Sequence, residues 1–261
     1  MKKVGFFLVI FIGLFLVVFY FGRGGSSSNV TAQTINKDIA PESDLMVTIT
    51  DDNKSVIITR YNGDEKTVVI PAIIQGLPVI QVGGFSFNKT VTTVIIPEGV
   101  TTISNNAFAY CENLNSVSLP STITSLGEAA FYNSGLSTFP DSWPKALTVI
   151  DDGKGFIGIF HRTKLRNVVI PEGITKIGMY AFFRCTELIS VSLPSTIREI
   201  GDSAFNGCSA LTTVNIPATV RSIEFGNLRG DGVPTVFQGS DRINQASKTR
   251  LKQLGYNNPW W

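Results

Sequence analysis

The chain repeats itself with a period too long for any helix or strand. Five segments ending in Ile-Pro or Leu-Pro recur along it: VTTVIIP at 91–97, LNSVSLP at 114–120, LRNVVIP at 165–171, LISVSLP at 188–194 and LTTVNIP at 211–217. Each has apolar side chains at its first, fourth and sixth places, and the last two of these alternate as in a strand with one buried face. Proline then closes the strand, because it has no N–H for a ladder. Six residues past the prolines stand Ile103, Leu126, Ile177, Ile200 and Ile223. Val82 and Ile150 extend this column to seven, at intervals of 21, 23, 24, 27, 23 and 23 residues. Five residues later comes a large apolar side chain: Phe87, Phe108, Phe131, Phe182, Phe205 and Leu228. Phe160 fills that role in the 27-residue interval, after an insertion of five residues. Alanine precedes the phenylalanine at Ala107, Ala130, Ala181 and Ala204.

A period of about 23 residues is the length of one solenoid coil. One coil cannot bury its own leucines and phenylalanine, whereas stacked coils bury them as continuous ladders. The sequence therefore predicts a mainly β fold: a solenoid of about seven coils over 71–232, with Phe87, Phe108, Phe131, Phe160, Phe182 and Phe205 as an internal ladder. Cys111, Cys185 and Cys208 share one column with Ser134 and Thr163, eight places after the Ile103-type residue or at the equivalent turn. Small side chains there imply a tight interior turn, and side chains pointing in parallel from successive coils imply free thiols rather than disulfides.

Both ends of a solenoid need caps. Residues 43–70 read as strand, turn, strand, turn, strand, with turn chemistry at Asp51-Asp52-Asn53-Lys54 and Asn62-Gly63-Asp64. Residues 233–261 form the other cap. There 235–237 add a strand, Ser240 or Asp241 begins a helix to Leu254, Gly255 stops it, and Trp260 and Trp261 pack back on it.

Ahead of the repeats, Lys2 and Lys3 precede 19 uncharged residues, 4–22, which end at Arg23. As a helix this stretch matches the thickness of a bilayer core, with the lysines favouring a cytoplasmic N-terminus. Residues 1–23 thus read as a signal peptide or a signal anchor, with GGSSS after Arg23 leaving cleavage open. No cysteine follows the apolar run for acylation, and 24–42, rich in Gly, Ser, Asn and Thr, read as a flexible linker. Lys2, Lys3 and Arg23 are the only charges before residue 33. Without them the 22 basic residues fall to 19 against 20 acidic ones, a net of −1. A protein that grips phosphates carries a basic surplus, so nucleic acid is not an expected partner.

Catalytic and metal-binding chemistry is poorly supplied. Gly153-Lys154-Gly155-Phe156-Ile157-Gly158 matches G-x-G-x-x-G, but no helix fits between it and the coil columns, so no dinucleotide cofactor is expected. His161 is the single histidine, and Thr163, not cysteine, holds the small-residue place beside it. Asp51-Asp52-Asn53 lacks the remaining ligands of a calcium loop and reads as a hairpin turn. No metal, no cofactor and no enzymatic activity are expected.

Two surfaces remain for recognition. The strand face presents Thr93, Ser116, Asn167, Ser190 and Thr213 in one column and Ser118, Ser192 and Asn215 in another. This is either a regular solvated β face or a hydroxyl-rich platform for a protein or a glycan. The loop after the phenylalanine is more varied. Ala109, Tyr132, His161, Phe183 and Asn206 hold its first place, and Tyr110, Asn133, Arg162, Arg184 and Gly207 its second. The middle coils thereby line up Tyr110, Tyr132, His161, Arg162, Phe183 and Arg184 along one edge, beside the insertion. Aromatic residues and arginine dominate interface hot spots, so this edge is the expected partner-binding site.

The unit I-P-x-x-V/I-T-x-I-G-x-x-A-F-x-x-C-x-x-L-x-S-V, at 170–191 and 193–214, resembles the BspA-type leucine-rich repeat, also called the treponemal leucine-rich repeat. The resemblance covers 66–232, and the ending with Phe237 and Leu254-Gly255-Tyr256 is most similar to treponemal members. It implies an exported, non-enzymatic adhesin or antigen at the cell surface, with a protein partner such as host extracellular matrix. The long apolar segment supports a second expectation: a scaffold anchored in the inner membrane through 4–22, facing the periplasm and serving another envelope protein. A carbohydrate-binding module is a remote third.

Overall fold

The computed structural model describes residues 6–12, 15–21, 39–138, 140, 143–151, 157–220, 222–223 and 236–256, in two units, 1–39 and 40–261. In the first unit the apolar stretch is not a helix. It forms two antiparallel strands, β1 (Phe6–Ile12) and β2 (Phe15–Phe21), with Phe6 opposite Phe21. FFLVIFI and FLVVFYF consist almost wholly of β-branched, aromatic and other apolar residues, which favour extended backbone, and Gly13 lies between them. Among the described residues no helix is long and apolar enough to cross a membrane.

The second unit opens with the expected β cap. After a 3-10 turn at Glu42–Asp44, β3 (Leu45–Ile49) and β4 (Val56–Tyr61) pair antiparallel, and β5 (Thr67–Val69) follows. Asp51–Asn53 make the hairpin turn. The Asp52 carboxylate accepts from Thr50 Oγ1 at 2.7 Å and from the Lys54 N–H at 3.1 Å, and these bonds hold it below the usual carboxylate range. A short hairpin, β6 (Ile73–Ile74) with β7 (Leu77–Val82), leads into the coils, and β4 runs parallel to β7.

Among the described residues each coil then contributes one three-residue strand and one two-residue strand, except the coil of β12, which shows only the shorter one. The longer ones are β8 (Thr93–Ile95), β10 (Ser116–Ser118), β13 (Asn167–Val169), β15 (Ser190–Ser192) and β17 (Thr213–Asn215). The shorter ones are β9 (Thr102–Ile103), β11 (Ser125–Leu126), β12 (Val149–Ile150), β14 (Lys176–Ile177), β16 (Glu199–Ile200) and β18 (Ser222–Ile223). All pair in parallel, one coil to the next, with β5 and β7 starting the two ladders. The first, fourth and sixth residues of every Pro-terminated segment are buried, as the pattern requires. Among the described residues both ladders break at the same level, between β10 and β13 and between β11 and β12. That coil departs from the others in two places. Pro144 falls eight residues after Leu136 instead of six, and Phe160 falls ten after Ile150 instead of five.

Phenylalanine fills the interior. Phe85, Phe108, Phe131, Phe160, Phe182, Phe205 and Phe237 stack with centroids 5.1–5.5 Å apart. Tyr61 of the cap covers one end at 4.8 Å and Tyr256 meets the other edge-on at 5.7 Å. Burying each ring contributes about 2–3 kcal/mol, and ring pairing adds about 1 kcal/mol. Two corrections follow. The first rung is Phe85, at 1% exposure, whereas Phe87 is 61% exposed. The last is Phe237, while Leu228 lies outside the described residues.

The small-residue column locks coil to coil. The Cys111, Cys185 and Cys208 thiols donate to the carbonyl oxygens of Phe85, Phe160 and Phe182, at 2.9, 3.0 and 3.2 Å. All three are free and buried, and burial pushes the Cys111 and Cys185 thiols up to about 11, so they stay protonated. Ser240 belongs to this column, donating to Phe205 O at 3.1 Å, and so does not cap the helix. The cap is Asn244, whose side chain accepts from Ser247 N, and α1 spans Gln245–Gln253. Gly255, at φ 84°, follows as expected. No strand forms at Val236 and Phe237, which lie in a turn, and Trp260 and Trp261 are outside the described residues.

Candidate functional site

The outer edge is built at the turn just after each ladder phenylalanine. The second place after it has positive φ in every coil: Phe87 (64°), Tyr110 (60°), Asn133 (51°), Arg162 (59°), Arg184 (55°), Gly207 (77°) and Gly239 (75°). This backbone suits glycine and costs other residues about 1–2 kcal/mol. Only the last two coils use glycine. The five before them carry larger side chains, four of them bulky, in a conformation that penalises them.

Phe87 and Tyr110 from this place, with Tyr132, His161 and Phe183 from the place before it, form a second aromatic stack outside the first. Phe87 lies flat on Tyr110 at 4.6 Å with the rings 7° apart. Tyr110 then meets Tyr132 edge-on at 5.0 Å, Tyr132 meets His161 at 4.9 Å, and His161 meets Phe183 at 4.8 Å. The Arg184 guanidinium carbon lies 5.2 Å from the centre of the Phe183 ring, and Tyr180 closes on that ring edge-on at 5.4 Å. Backbone bonds fix the spacing: Tyr110 N donates to Tyr132 O, Asn133 N to His161 O, Arg162 N to Phe183 O and Arg184 N to Asn206 O, all within 2.7–2.9 Å. All six expected site residues therefore stand on one edge, with His161 and Phe183 half-buried and Arg162 and Arg184 exposed. Sequence reasoning missed Phe87 as a member. The signal was the small-residue column, since Asn88 stands three places after Phe85, as Cys111 does after Phe108.

Burial, with the charges of Arg162 and Arg184 beside it, lowers the His161 imidazole to about 4, and its Nδ1 has no hydrogen-bond partner. The unfolded chain takes up a proton near pH 6.5 and the folded chain only near 4. The contribution of His161 to stability is therefore complete above about 6.5 and falls as pH drops toward 4. His161→Phe keeps a ring in the stack and removes the titration, so it is expected to flatten the decline of Tm in that window. A decline as steep as in the parent would contradict this assignment.

Past the arginines the edge becomes bare. Gly207 and Gly239 hold the next two rungs, and a cleft of about 390 Å³ opens there, lined by Thr186, Ser209, Ala210, Gly239, Asp241 and Arg242. The strand face is quieter. Ser116 donates to Thr93 at 3.4 Å and Ser190 to Asn167 at 2.8 Å, so these hydroxyls are engaged within their own column. In the second strand column Ile95 and Val169 are 40% and 68% exposed, alongside the serines.

Comparison with known proteins agrees with the coil architecture. The BspA type leucine rich repeat region matches in six copies, over residues 76–153 and 157–230. The crystal structure of the T. pallidum leucine rich repeat protein is 31% identical, with 85% of this chain and 98% of that one covered and a TM-score of 0.69. A leucine rich cell surface protein from Faecalibacterium prausnitzii is 19% identical over 78% of this chain and 87% of its own, with a TM-score of 0.29, and adds nothing beyond that. No curated protein matches. With its phenylalanine ladder, its small-residue column and six matched repeats, the chain belongs to the BspA-type leucine-rich repeat family.

Proposed function

We propose that the protein is an exported, non-enzymatic recognition module that binds a protein partner through the edge formed by Tyr110, Tyr132, His161, Arg162, Phe183 and Arg184. The observation that carries this reading is the left-handed backbone under three of the six, Tyr110, Arg162 and Arg184, with Tyr132, His161 and Phe183 packed beside them. The fold itself is satisfied by glycine at those turns, as Gly207 and Gly239 demonstrate. Strain of this kind clusters where a side chain is needed for something other than folding. Continuous backbone bonds hold the rings before any partner arrives, so little ordering entropy is lost on binding. Export is supported by Lys2 and Lys3 ahead of the apolar run, and a surface adhesin binding extracellular matrix is the form that best fits these features.

The test is binding of the full chain to an immobilised panel of extracellular-matrix proteins, with protease shaving of intact cells alongside. A panel protein is expected to bind, and the combined variant Tyr132→Ala, Phe183→Ala, Arg184→Ala is expected to lose at least about tenfold in affinity while its circular dichroism shows the coils still folded at the assay temperature. Binding undiminished in that variant removes the edge from consideration. Protection from protease until the envelope is permeabilised removes the matrix, and favours the anchored scaffold for another envelope protein.

A further inference from the structure

The charges on this edge are distributed unevenly. Arg162 and Arg184 stand on adjacent coils, both exposed and both at positive φ. Adjacent coils lie about 4.8 Å apart, so the backbone positions from which the two side chains leave stand side by side. Among the described residues neither guanidinium has a carboxylate partner. Glu112, on the equivalent turn two coils earlier, is bound to Lys89 at 2.7 Å. Glu187, exposed on the Arg184 coil, pairs with neither arginine. The Arg184 guanidinium sits over Phe183 and its stem crosses the Gly207 turn. A guanidinium resting on a ring still presents its N–H groups, which suits two-point contact with a carboxylate. His161 beside them is uncharged at neutral pH, so in the first and second places of these two coils the charge comes from the arginines.

The two columns of the edge differ in kind. Arginine fills the second place on the two coils where the first place carries His161 and Phe183. Along an extended chain, successive side chains point to opposite sides. A segment laid along this edge would have the arginines on one side and Tyr132 and Phe183 on the other, with the bare Gly207 and Gly239 rungs and Arg242 beyond them. A sulfated glycan would call for cations along the whole edge, yet the remaining rungs are Phe87, Tyr110 and Asn133.

On the basis of the proposed recognition role, we propose that the partner is engaged through an extended acidic segment with alternating carboxylate and apolar or aromatic side chains, its carboxylates bridging Arg162 and Arg184. Outside residues 1–32 the chain carries a net of −1, from 19 basic and 20 acidic residues, so attraction of a polyanion has to be local to this pair.

The test is fluorescence anisotropy of the full chain in mild detergent with a labelled peptide alternating glutamate and tyrosine, the same peptide with glutamine for glutamate, and a heparin oligosaccharide. The glutamate peptide is expected to bind at least about tenfold more tightly than the glutamine peptide, and more weakly at high salt. Arg162→Gln with Arg184→Gln is expected to cost at least about tenfold for the glutamate peptide and little for the glutamine one. Equal binding of the two peptides, unchanged binding in the glutamine variant, heparin binding without peptide binding, or no binding at all overturns the acidic segment. A matrix protein lost on Tyr132→Ala with Phe183→Ala but kept by the arginine variant would leave the recognition role standing and remove only this inference.

Discussion

Phe160→Ala is expected to cost about 3–5 kcal/mol, among the largest losses available to a single substitution in this chain. The ring is fully buried, 5.5 Å from Phe131 and 5.3 Å from Phe182. It also sits at the level where both parallel ladders are broken among the described residues. Elsewhere a missing rung leaves strand pairing on either side to hold the coils. Here the stack remains, with the bonds from Phe131 N to Ile159 O, Asn133 N to His161 O, Ser137 N to Asn115 O and Ile157 N to the Glu128 carboxylate. A solenoid's stability is close to a sum of coil and interface contributions, so a cavity at this level weakens the joint between two blocks of coils. Urea unfolding is expected to shift to lower midpoint and to separate into two phases. The matched control is Phe87→Ala, on the exposed rung, with a loss of about 1 kcal/mol or less. Equal losses from the two variants would refute the placement of Phe160 in the core and Phe87 outside it.

Gly84→Val is expected to part the N-terminal cap from the coils. Gly84 has φ 77°, and a Cβ there would stand 2.0 Å from Thr59 O and 2.4 Å from Arg60 Cα. Tyr61 N donates to Gly84 O at 3.1 Å and Gly83 N to Ile58 O at 3.0 Å, so the contact is the seam along which the cap is attached. Left-handed strain and the backbone clash together cost about 3 kcal/mol or more. Losing the cap uncovers Phe85 and the first ladder edges, and an open β edge pairs with other chains. Light scattering after size exclusion is expected to show concentration-dependent oligomers alongside a lowered Tm. Gly99→Ala provides the contrast, because its φ of 101° carries strain while nothing lies within 4 Å of the added carbon. A monomeric, fully stable Gly84→Val protein would show that the cap does not depend on this approach.

The coil columns were legible because burial recurs at fixed spacing, and a ladder forces the same residue type into the same place. The site edge was legible for a weaker reason: variation stands out against a regular repeat. The misreading of Phe87 arose where the first coil is short, so that counting five places from Val82 landed on the outer ring instead of Phe85. Counting back from the small residue Asn88 finds the correct rung. The helix start was misplaced because Ser240 has good capping chemistry and is held instead by the Phe205 carbonyl, a partner 35 residues away. The apolar N-terminal stretch was read by length and hydropathy, which do not separate a helix from a strand pair when Val, Ile, Phe and Tyr dominate. Left-handed backbone under bulky residues, the observation on which the functional reading rests, has no signature in a single sequence.

The break in the two strand ladders gives the molecule a binding like that of a book. Among the described residues β11 and β12 do not pair, and a cleft of about 190 Å³ lies between them, while beside β10 Ser137 N and Thr138 Oγ1 still donate to Asn115 O at 3.3 Å. The spine is the phenylalanine turn, where backbone bonds continue from Phe131 to Ile159 and from Asn133 to His161. Widening of that cleft would change distances across the β11–β12 face while the rings along the spine keep their spacing. A partner held on that edge would feel a rigid surface even as the rest of the coil stack breathes, and amides facing the gap would exchange with solvent well before those of the spine.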